Sequence, residues 1–186
     1  MFRALALWMF LMLAAVPAWA QSAPSGLLTD LELPGPLTRE QADYLGVPKD
    51  AASFRLSEIK GEYLLLEVFS MYCPHCQREA ARVNELYQAV AASPYAGRIL
   101  FLGLGAGNSV FEVEVFRKQY KVPFPLFADP DFLIHKAVGQ VGTPCFLFLK
   151  LPGGGQGLPI LDSLIGGFGD TQAFLQRLVR AGRIEK

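Results

Sequence analysis

Cysteine, histidine and net charge are all scarce in this sequence, and each scarcity excludes a class of protein. Its 186 residues include three cysteines and two histidines, and 17 basic residues balance 17 acidic ones. Three cysteines are too few for a scaffold held together by disulfides, so the chain must rely on a hydrophobic core. Because like charges form no run, nothing indicates nucleic acid or an anionic membrane surface as a partner.

Long apolar runs are also absent beyond the first twenty residues. Within the first twenty residues, Arg3 precedes an apolar run over 4–15, and Ala18-Trp19-Ala20 fits the small-x-small pattern at which signal peptides are cleaved. We therefore predict a signal peptide over 1–20; the alternative is an uncleaved anchor, although the run is shorter than the roughly 20 apolar residues that span a bilayer. Cleavage would leave no stable membrane span. The mature chain would then be periplasmic or otherwise exported, where disulfides form and persist.

The remaining sequence predicts one α/β domain after an irregular segment. Residues 21–54 are rich in proline, glycine and serine without a sustained period, which predicts an irregular N-terminal extension. Residues 55–186 alternate strand and helix patterns, which predicts a central mixed sheet flanked by helices. Strands are predicted at 63–69, 98–104, within 122–131, at 145–150 and at 159–165. Helices are predicted to start at 73, 109 and 170, a short helix at 135–138, and a hairpin turn at 152–157.

Two of the cysteines lie three positions apart in the motif Cys73-Pro74-His75-Cys76. A thiolate is the nucleophile of disulfide exchange, and the unpaired N–H groups and positive dipole end of a helix stabilise it. The apolar period after the motif predicts such a helix, with Pro74 in its first turn, where the missing N–H is no loss. Cys73 is therefore the predicted nucleophile, Cys76 the resolving thiol one turn later, and His75 a donor beside the sulfur.

Two other interpretations of this pair are weaker. A zinc site would need two more ligands, and one of the two histidines is already inside the motif. A purely structural disulfide closing so small a loop would remove little entropy from the unfolded chain. We therefore predict a redox dithiol with no metal and no cofactor.

The segment from Leu66 to Cys76 resembles the active-site segment of the DsbA family of periplasmic dithiol oxidases, with the same tetrad and an acid six residues before the first cysteine. At the level of pattern, residues 55–182 resemble the TlpA and ResA group of exported thioredoxin-like proteins. The shared features are a Leu-x-x-Ile-x-Gly turn before a strand, a moderate insert after the second helix, and Gly142-Thr143-Pro144 before a later strand.

This resemblance implies a thioredoxin-like fold and a thiol–disulfide oxidoreductase. Its substrates would be cysteine-containing exported proteins, and a separate redox partner would recycle the dithiol. The tetrad implies an oxidase or isomerase, whereas the scaffold implies a reductase.

The resemblance also implies roles for residues outside the tetrad. Glu67 matches a buried acid beneath the second cysteine, which would accept the proton of Cys76; the alternative is a strand residue that reaches water. Pro144 matches a cis-proline beside the dithiol, and Thr143 would pair with the substrate backbone. Cys145 departs from the pattern, either as a small core residue or as a third redox thiol.

Two further functions stay open at this stage. A copper-carrying, Sco-like chaperone would bind its metal with Cys73, Cys76 and His135. A peroxiredoxin-like thiol peroxidase would use the same scaffold, but the Pro-x-x-x-Thr-x-x-Cys pattern of that family is absent from the sequence.

Overall fold

The computed structural model describes residues 22–151 and 157–185. The predicted signal peptide and most of the predicted hairpin turn lie outside this part of the chain. The strands are β1 (Gly26–Leu28), β2 (Glu32–Pro34), β3 (Ser53–Arg55), β4 (Tyr63–Phe69), β5 (Ile99–Ala106), β6 (Leu126–Asp129), β7 (Cys145–Lys150) and β8 (Leu158–Ile165). The helices are α1 (Arg39–Leu45), α2 (Pro74–Ala91), α3 (Val110–Tyr120), α4 (Leu133–Ala137) and α5 (Thr171–Gly182).

A six-stranded mixed sheet forms the centre of the fold, in the order β1-β8-β7-β4-β5-β6. The strands β4, β5 and β6 are parallel, whereas β7 is antiparallel to β4, β8 to β7 and β1 to β8. The predicted α/β architecture is confirmed. Because the carboxyl ends of parallel strands meet at one edge, the segments that follow β4, β5 and β6 lie together there.

The central strand β4 separates two hydrophobic cores. All seven of its residues are buried, and successive side chains point to opposite faces of the sheet. Leu64, Leu66 and Val68 pack with the N-terminal segment, while Leu65 and Phe69 pack with α2, α3 and α5. By the same alternation, Glu67 faces the second core, to which Cys76 also belongs.

Part of the segment predicted to be irregular, residues 21–54, forms short regular elements. β1 pairs with β8 in the main sheet, β2 pairs with β3, and α1 begins with a capping box at Thr38. Strands of three residues are too short to show an alternating pattern, so the proline and glycine content obscured them.

Tyr44 of α1 completes the hydrogen bonding of the central sheet. Its hydroxyl accepts the backbone N–H of Phe101 at 2.8 Å. β6 pairs with β5 only from Gly103 onward, so the Phe101 N–H has no strand partner on that side. Burial of the hydroxyl raises the pKa of Tyr44 above its ordinary value. The N-terminal segment is therefore an integral part of the fold, since a buried N–H must find an acceptor.

The helix signals in the sequence were reliable. Ser109 forms the predicted capping box with Glu112 at the start of α3, and the side chain of Asp170 caps α5. Within the described ranges, no helix has both the length and the apolar character that crossing a bilayer demands.

Candidate active site at the start of α2

The dithiol lies where the chain leaves β4 and enters α2. Cys73 is the N-cap residue of the helix and Pro74 its first residue, as the sequence predicts. Cys76 is fully buried one turn later, whereas Cys73 is partly exposed. All three cysteines are free thiols in this structure. The Cys73 sulfur is therefore accessible to a partner molecule, whereas the Cys76 sulfur is shielded from solvent behind it.

Local hydrogen bonds favour the thiolate of Cys73. Burial by itself raises the pKa of this thiol, but hydrogen bonds with Thr143, with the backbone and thiol of Cys76 and with the backbone of His75 outweigh that effect. The net result is a pKa below the ordinary value of the thiol. Donors aimed at a thiolate stabilise the charged form, as expected at a helix N-terminus.

The other two thiols are held in the protonated form. Burial raises the pKa of Cys76, and the nearby charge of Glu67 raises it further. Burial alone raises the pKa of Cys145 to about 12. Of the three sulfurs, Cys73 is therefore the one that most readily forms a thiolate.

This ordering predicts the pH dependence of alkylation. A thiol with a lowered pKa loses its proton at a lower pH, so iodoacetamide should modify Cys73 with a midpoint below the usual thiol value of about 8.5. Cys76 and Cys145 should react only after denaturation. Peptide mapping by mass spectrometry after alkylation at a series of pH values measures this; modification of either buried thiol before Cys73 would contradict the assignment.

The structure brings the Thr143–Pro144 turn to Cys73. The Cys73 thiol donates to the Thr143 carbonyl oxygen at 3.2 Å, across 70 positions of sequence. The Thr143–Pro144 peptide bond is cis, as the resemblance implies. The Pro144 carbonyl accepts the N–H of Gly166 at 2.8 Å, so the loop after β8 supports this turn.

His75 acts on Cys73 through its backbone. Its exposed imidazole Nδ1 is 2.9 Å from a guanidinium nitrogen of Arg78, and because a guanidinium only donates, Nδ1 is the acceptor. The ring is therefore engaged with Arg78, and the backbone of His75 is what hydrogen-bonds the sulfur.

Two acidic side chains are buried behind Cys76, and the sequence interpretation identified only the first. Glu67 is 5% exposed, which excludes the alternative of a strand residue reaching water. Burial and the charge of Glu79 together raise its pKa to about 8. Glu79 is 4% exposed and lies on the inner face of α2. The helical spacing could have revealed Glu79, because this charged residue lies three positions after Cys76 and next to the inward-facing Ala80.

Asn108 is a second residue that the sequence interpretation missed. It is fully buried, and its Oδ1 accepts the backbone N–H of Met71 at 2.8 Å. This bond connects the loop after β5 to the loop that precedes Cys73. In the sequence Asn108 looks like an ordinary turn residue, so only the fold shows its buried contact.

His135 and Cys145 lie apart from the dithiol. The His135 ring donates through Nε2 to the Val141 carbonyl at 2.8 Å. Cys145 packs in the first core with Val68, on the opposite face of the sheet from Cys76. This placement favours Cys145 as a core residue. Among the described residues, no group of three or more His, Cys, Asp or Glu side chains could hold a metal ion.

Exposed apolar side chains cluster at the same edge of the sheet as Cys73. Tyr72 precedes the dithiol, and its hydroxyl donates to Glu112 near the start of α3. Six large apolar side chains are exposed in the described part of the chain, and five of them follow β4, β5 or β6: Tyr72, Val110, Phe111, Phe132 and Leu133. An exposed apolar patch of this kind is typical of an interaction surface.

A family model described as the AhpC/TSA family matches residues 36–160, which include both cysteines of the dithiol and Pro144. The thiol-disulfide oxidoreductase ResA of Bacillus thuringiensis subsp. konkukian is 24% identical over 115 residues, which are 62% of this chain and 64% of that protein. The chain thus spans slightly less than two thirds of this curated relative.

Solved structures share the fold at lower sequence identity. A secreted Mycobacterium tuberculosis disulfide oxidoreductase homologous to E. coli DsbE is 18% identical, with a TM-score of 0.55 over 70% of this chain and 90% of that one. Peroxidoxin BcpB from Mycobacterium tuberculosis is 17% identical, with a TM-score of 0.58 over 87% of this chain and 98% of that one. The expected thioredoxin-like fold is therefore confirmed.

Proposed function

The chain belongs to the AhpC/TSA family of thioredoxin-like proteins, and on that premise we propose that it is a thiol–disulfide oxidoreductase of the ResA and DsbE type. The observation that carries the proposal is the asymmetry of the dithiol. Cys73 is partly exposed with a lowered pKa, and Cys76 is buried with a raised one. Stepwise exchange requires one accessible thiol that attacks the substrate and a second thiol that later resolves the mixed disulfide.

The proposed reaction proceeds through a mixed disulfide. In the oxidising direction, a substrate thiolate attacks the Cys73 sulfur of the Cys73–Cys76 disulfide, and Cys76 leaves as a thiolate that takes up a proton. A second substrate thiolate then displaces Cys73, so the substrate gains a disulfide and the protein keeps two thiols. In the reducing direction the same steps run backwards, and Cys76 gives up its proton as it displaces the substrate from Cys73.

The surroundings of Cys73 support a polypeptide substrate. Thr143 and Pro144 form a backbone turn within hydrogen-bonding distance of the nucleophile, where an extended segment could pair with the Thr143 backbone. The exposed apolar side chains beside Tyr72 add a surface suited to protein contact. We infer that the substrates are cysteine-containing exported proteins and that a second redox protein restores the dithiol.

The location and the direction of the reaction belong to the same proposal. The related Mycobacterium tuberculosis oxidoreductase is described as secreted, and the N-terminal sequence pattern predicts export of this chain. Stabilising the Cys73 thiolate stabilises the reduced protein, which makes the disulfide a stronger oxidant. A reduction potential near DsbA's roughly −120 mV would identify an oxidant, and one near thioredoxin's roughly −270 mV a reductant.

Equilibration of the purified protein with glutathione buffers tests the function itself. We expect oxidised glutathione to convert Cys73 and Cys76 into one disulfide, leaving Cys145 as a free thiol that alkylates only after denaturation. Equilibrium over a series of glutathione ratios yields the potential. A protein that retains three thiols throughout, or a disulfide that includes Cys145, would contradict the proposal.

A thiol peroxidase is the second candidate, favoured by the family match and by the similarity to peroxidoxin BcpB. Against it, Leu66 and Ser70 occupy the positions that proline and threonine would take in the peroxiredoxin pattern before Cys73. Hydrogen peroxide consumption with dithiothreitol as reductant separates the two functions. We expect a rate no higher than that of Cys73→Ser, and rapid turnover would favour the peroxidase.

A further inference from the structure

A cavity lies at the opposite edge of the sheet from the dithiol. Its volume is about 400 Å³, and residues of α1, the end of α2, the turn that follows α2 and the start of β5 line it. Cys73 is the N-cap of α2 and Ala91, which lines the cavity, is its last residue, so roughly 27 Å of helix separate the two places. The volume falls within the range of small-molecule sites in proteins.

The cavity exists because the first residues of β5 have no strand on their outer side. β6 does not pair with β5 over 99–101, and the hydroxyl of Tyr44 takes the place of a strand by accepting the Phe101 N–H at 2.8 Å. Small side chains beside this contact leave space: Ala91 at the end of α2 and Ala96 in the turn after it. The end of α2 therefore does not close over the edge of β5.

Three aromatic residues line the cavity: Tyr44, Tyr87 and Phe101. Tyr87 packs edge-on against Phe101 with ring centroids 5.4 Å apart, and it is tilted against Tyr44 with centroids 6.3 Å apart. A further aromatic ring can pack against such a group edge-on or offset, and this geometry contributes more than the buried area alone. The lining therefore suits a flat aromatic ligand.

The polar side chains of the cavity are hydrogen-bond donors without acceptors. Tyr44 accepts the Phe101 N–H, but within the described ranges the hydrogen of its own hydroxyl has no protein acceptor. The hydroxyl of Tyr87 and the exposed ammonium of Lys60 have no hydrogen-bond or ion-pair partner in the same ranges, and no acidic side chain lines the cavity there. Several donors and one positive charge match a carboxylate, which only accepts.

Lys60 is held beside the cavity by α1. Its N–H donates to the Leu45 carbonyl at 2.9 Å, and its stem covers Gly46, where a side chain would come within 2.6 Å of the Lys60 Cβ. An adjoining groove contains Glu58 and Glu62, but both have other partners. Glu58 accepts the Arg55 N–H at 2.6 Å, and Glu62 pairs with Arg98 at 2.7 Å. The charge of Lys60 therefore stays available to a ligand.

We propose that this cavity binds a small aromatic carboxylate, with its ring against Tyr87 and Phe101 and its carboxylate at Lys60. The Tyr44 and Tyr87 hydroxyls supply further donors to the carboxylate. Binding here is non-covalent and does not involve the dithiol, so this site goes beyond the proposed function and is tested independently of it.

Titration with indole-3-acetate, followed by the amide resonances of the full chain in NMR, tests the proposal. We expect saturable shifts at Gly97, which lines the cavity, and at Phe101. The dissociation constant should be about 1 mM or below, as for a tightly held ligand of this size. The amide of Asn108, near the dithiol, should not shift. Absence of saturation at Gly97 and Phe101, or shifts centred on Asn108, would overturn the proposal.

Indole-3-acetamide, which keeps the ring and removes the charge, tests the class of ligand. We expect it to bind about two- to fivefold more weakly than indole-3-acetate, the size of effect typical of an exposed ion pair. Lys60→Gln should remove this difference and leave the binding of the amide unchanged. Equal affinity of the two compounds for the unchanged protein would overturn the preference for a carboxylate. A difference that persists in Lys60→Gln would overturn the role of Lys60.

Filling the cavity tests its position. Ala91→Leu should weaken the binding of indole-3-acetate by about fivefold or more, because the larger side chain occupies part of the volume. Ala81→Leu is the matched control, since Ala81 is an exposed alanine of the same helix that does not line the cavity. If Ala91→Leu does not fold, Ala96→Leu in the exposed turn replaces it. Equal binding by the cavity variant and by Ala81→Leu would overturn the assignment of the site.

Discussion

Replacing Cys73 by serine should lower thiol–disulfide exchange by about three orders of magnitude or more, because the nucleophile of the reaction is removed. A serine hydroxyl stays protonated at neutral pH and forms no disulfide. Exchange with a peptide that carries a single disulfide, followed by the fluorescence of its released halves, measures the loss. The thermal unfolding midpoint should change little, since Cys73 is only partly buried.

Cys76→Ser should have a different effect, because the variant keeps Cys73, which attacks the substrate, but lacks the thiol that resolves the mixed disulfide. The variant should accumulate a stable mixed disulfide between Cys73 and the substrate peptide, visible as a mass increase that reductant reverses. Cys145→Ser is the matched control for losing one buried thiol, and it should exchange at the rate of the unchanged protein. Trapping through Cys145, or rapid turnover by Cys76→Ser, would refute the assignment of the two roles.

The second large effect concerns the N-terminal segment. Leu45, at the end of α1, is 0% exposed and belongs to the core beneath the sheet. We expect Leu45→Ala to lower the free energy of unfolding by about 2–5 kcal/mol, as truncation of a buried leucine leaves a cavity as well as losing apolar contact. Urea denaturation followed by circular dichroism measures this change.

The same segment offers the control. Leu27 of β1 is 57% exposed, so Leu27→Ala should change the free energy of unfolding by no more than about 0.5 kcal/mol. If Leu45→Ala were equally mild, α1 would not be the integral part of the core that its burial and the Tyr44 hydrogen bond indicate. If Leu45→Ala lowers stability but leaves thiol–disulfide exchange unchanged at low temperature, the N-terminal segment supports the fold and takes no part in the reaction.

The elements around the dithiol were predictable because their signals are local. The seven buried residues of β4 form a continuous run that is apolar except for Glu67. Ser109 and Glu112, three positions apart, form the capping box that marks the start of α3. The N-terminal strands were not predictable, because three-residue strands exist only through their partners. β1 pairs with residues at least 130 positions away, and no local pattern records such pairing.

The placement of Cys73 at a helix start was determined by the sequence alone. A nucleophile and the helix that stabilises it are neighbours along the chain, so composition and period are enough to join them. Glu67 also stood out, as a charge within an apolar strand.

Only the tertiary structure decided what surrounds those residues. Thr143 reaches Cys73 across 70 positions, and Asn108 and Glu79 gain their partners through loops that converge at one edge of the sheet. Cys145 likewise packs on the opposite face of the sheet from Cys76, although it directly follows Pro144 in the sequence. The physical reason is the same in each case: a hydrogen bond or a buried charge depends on distance in space, and packing sets that distance.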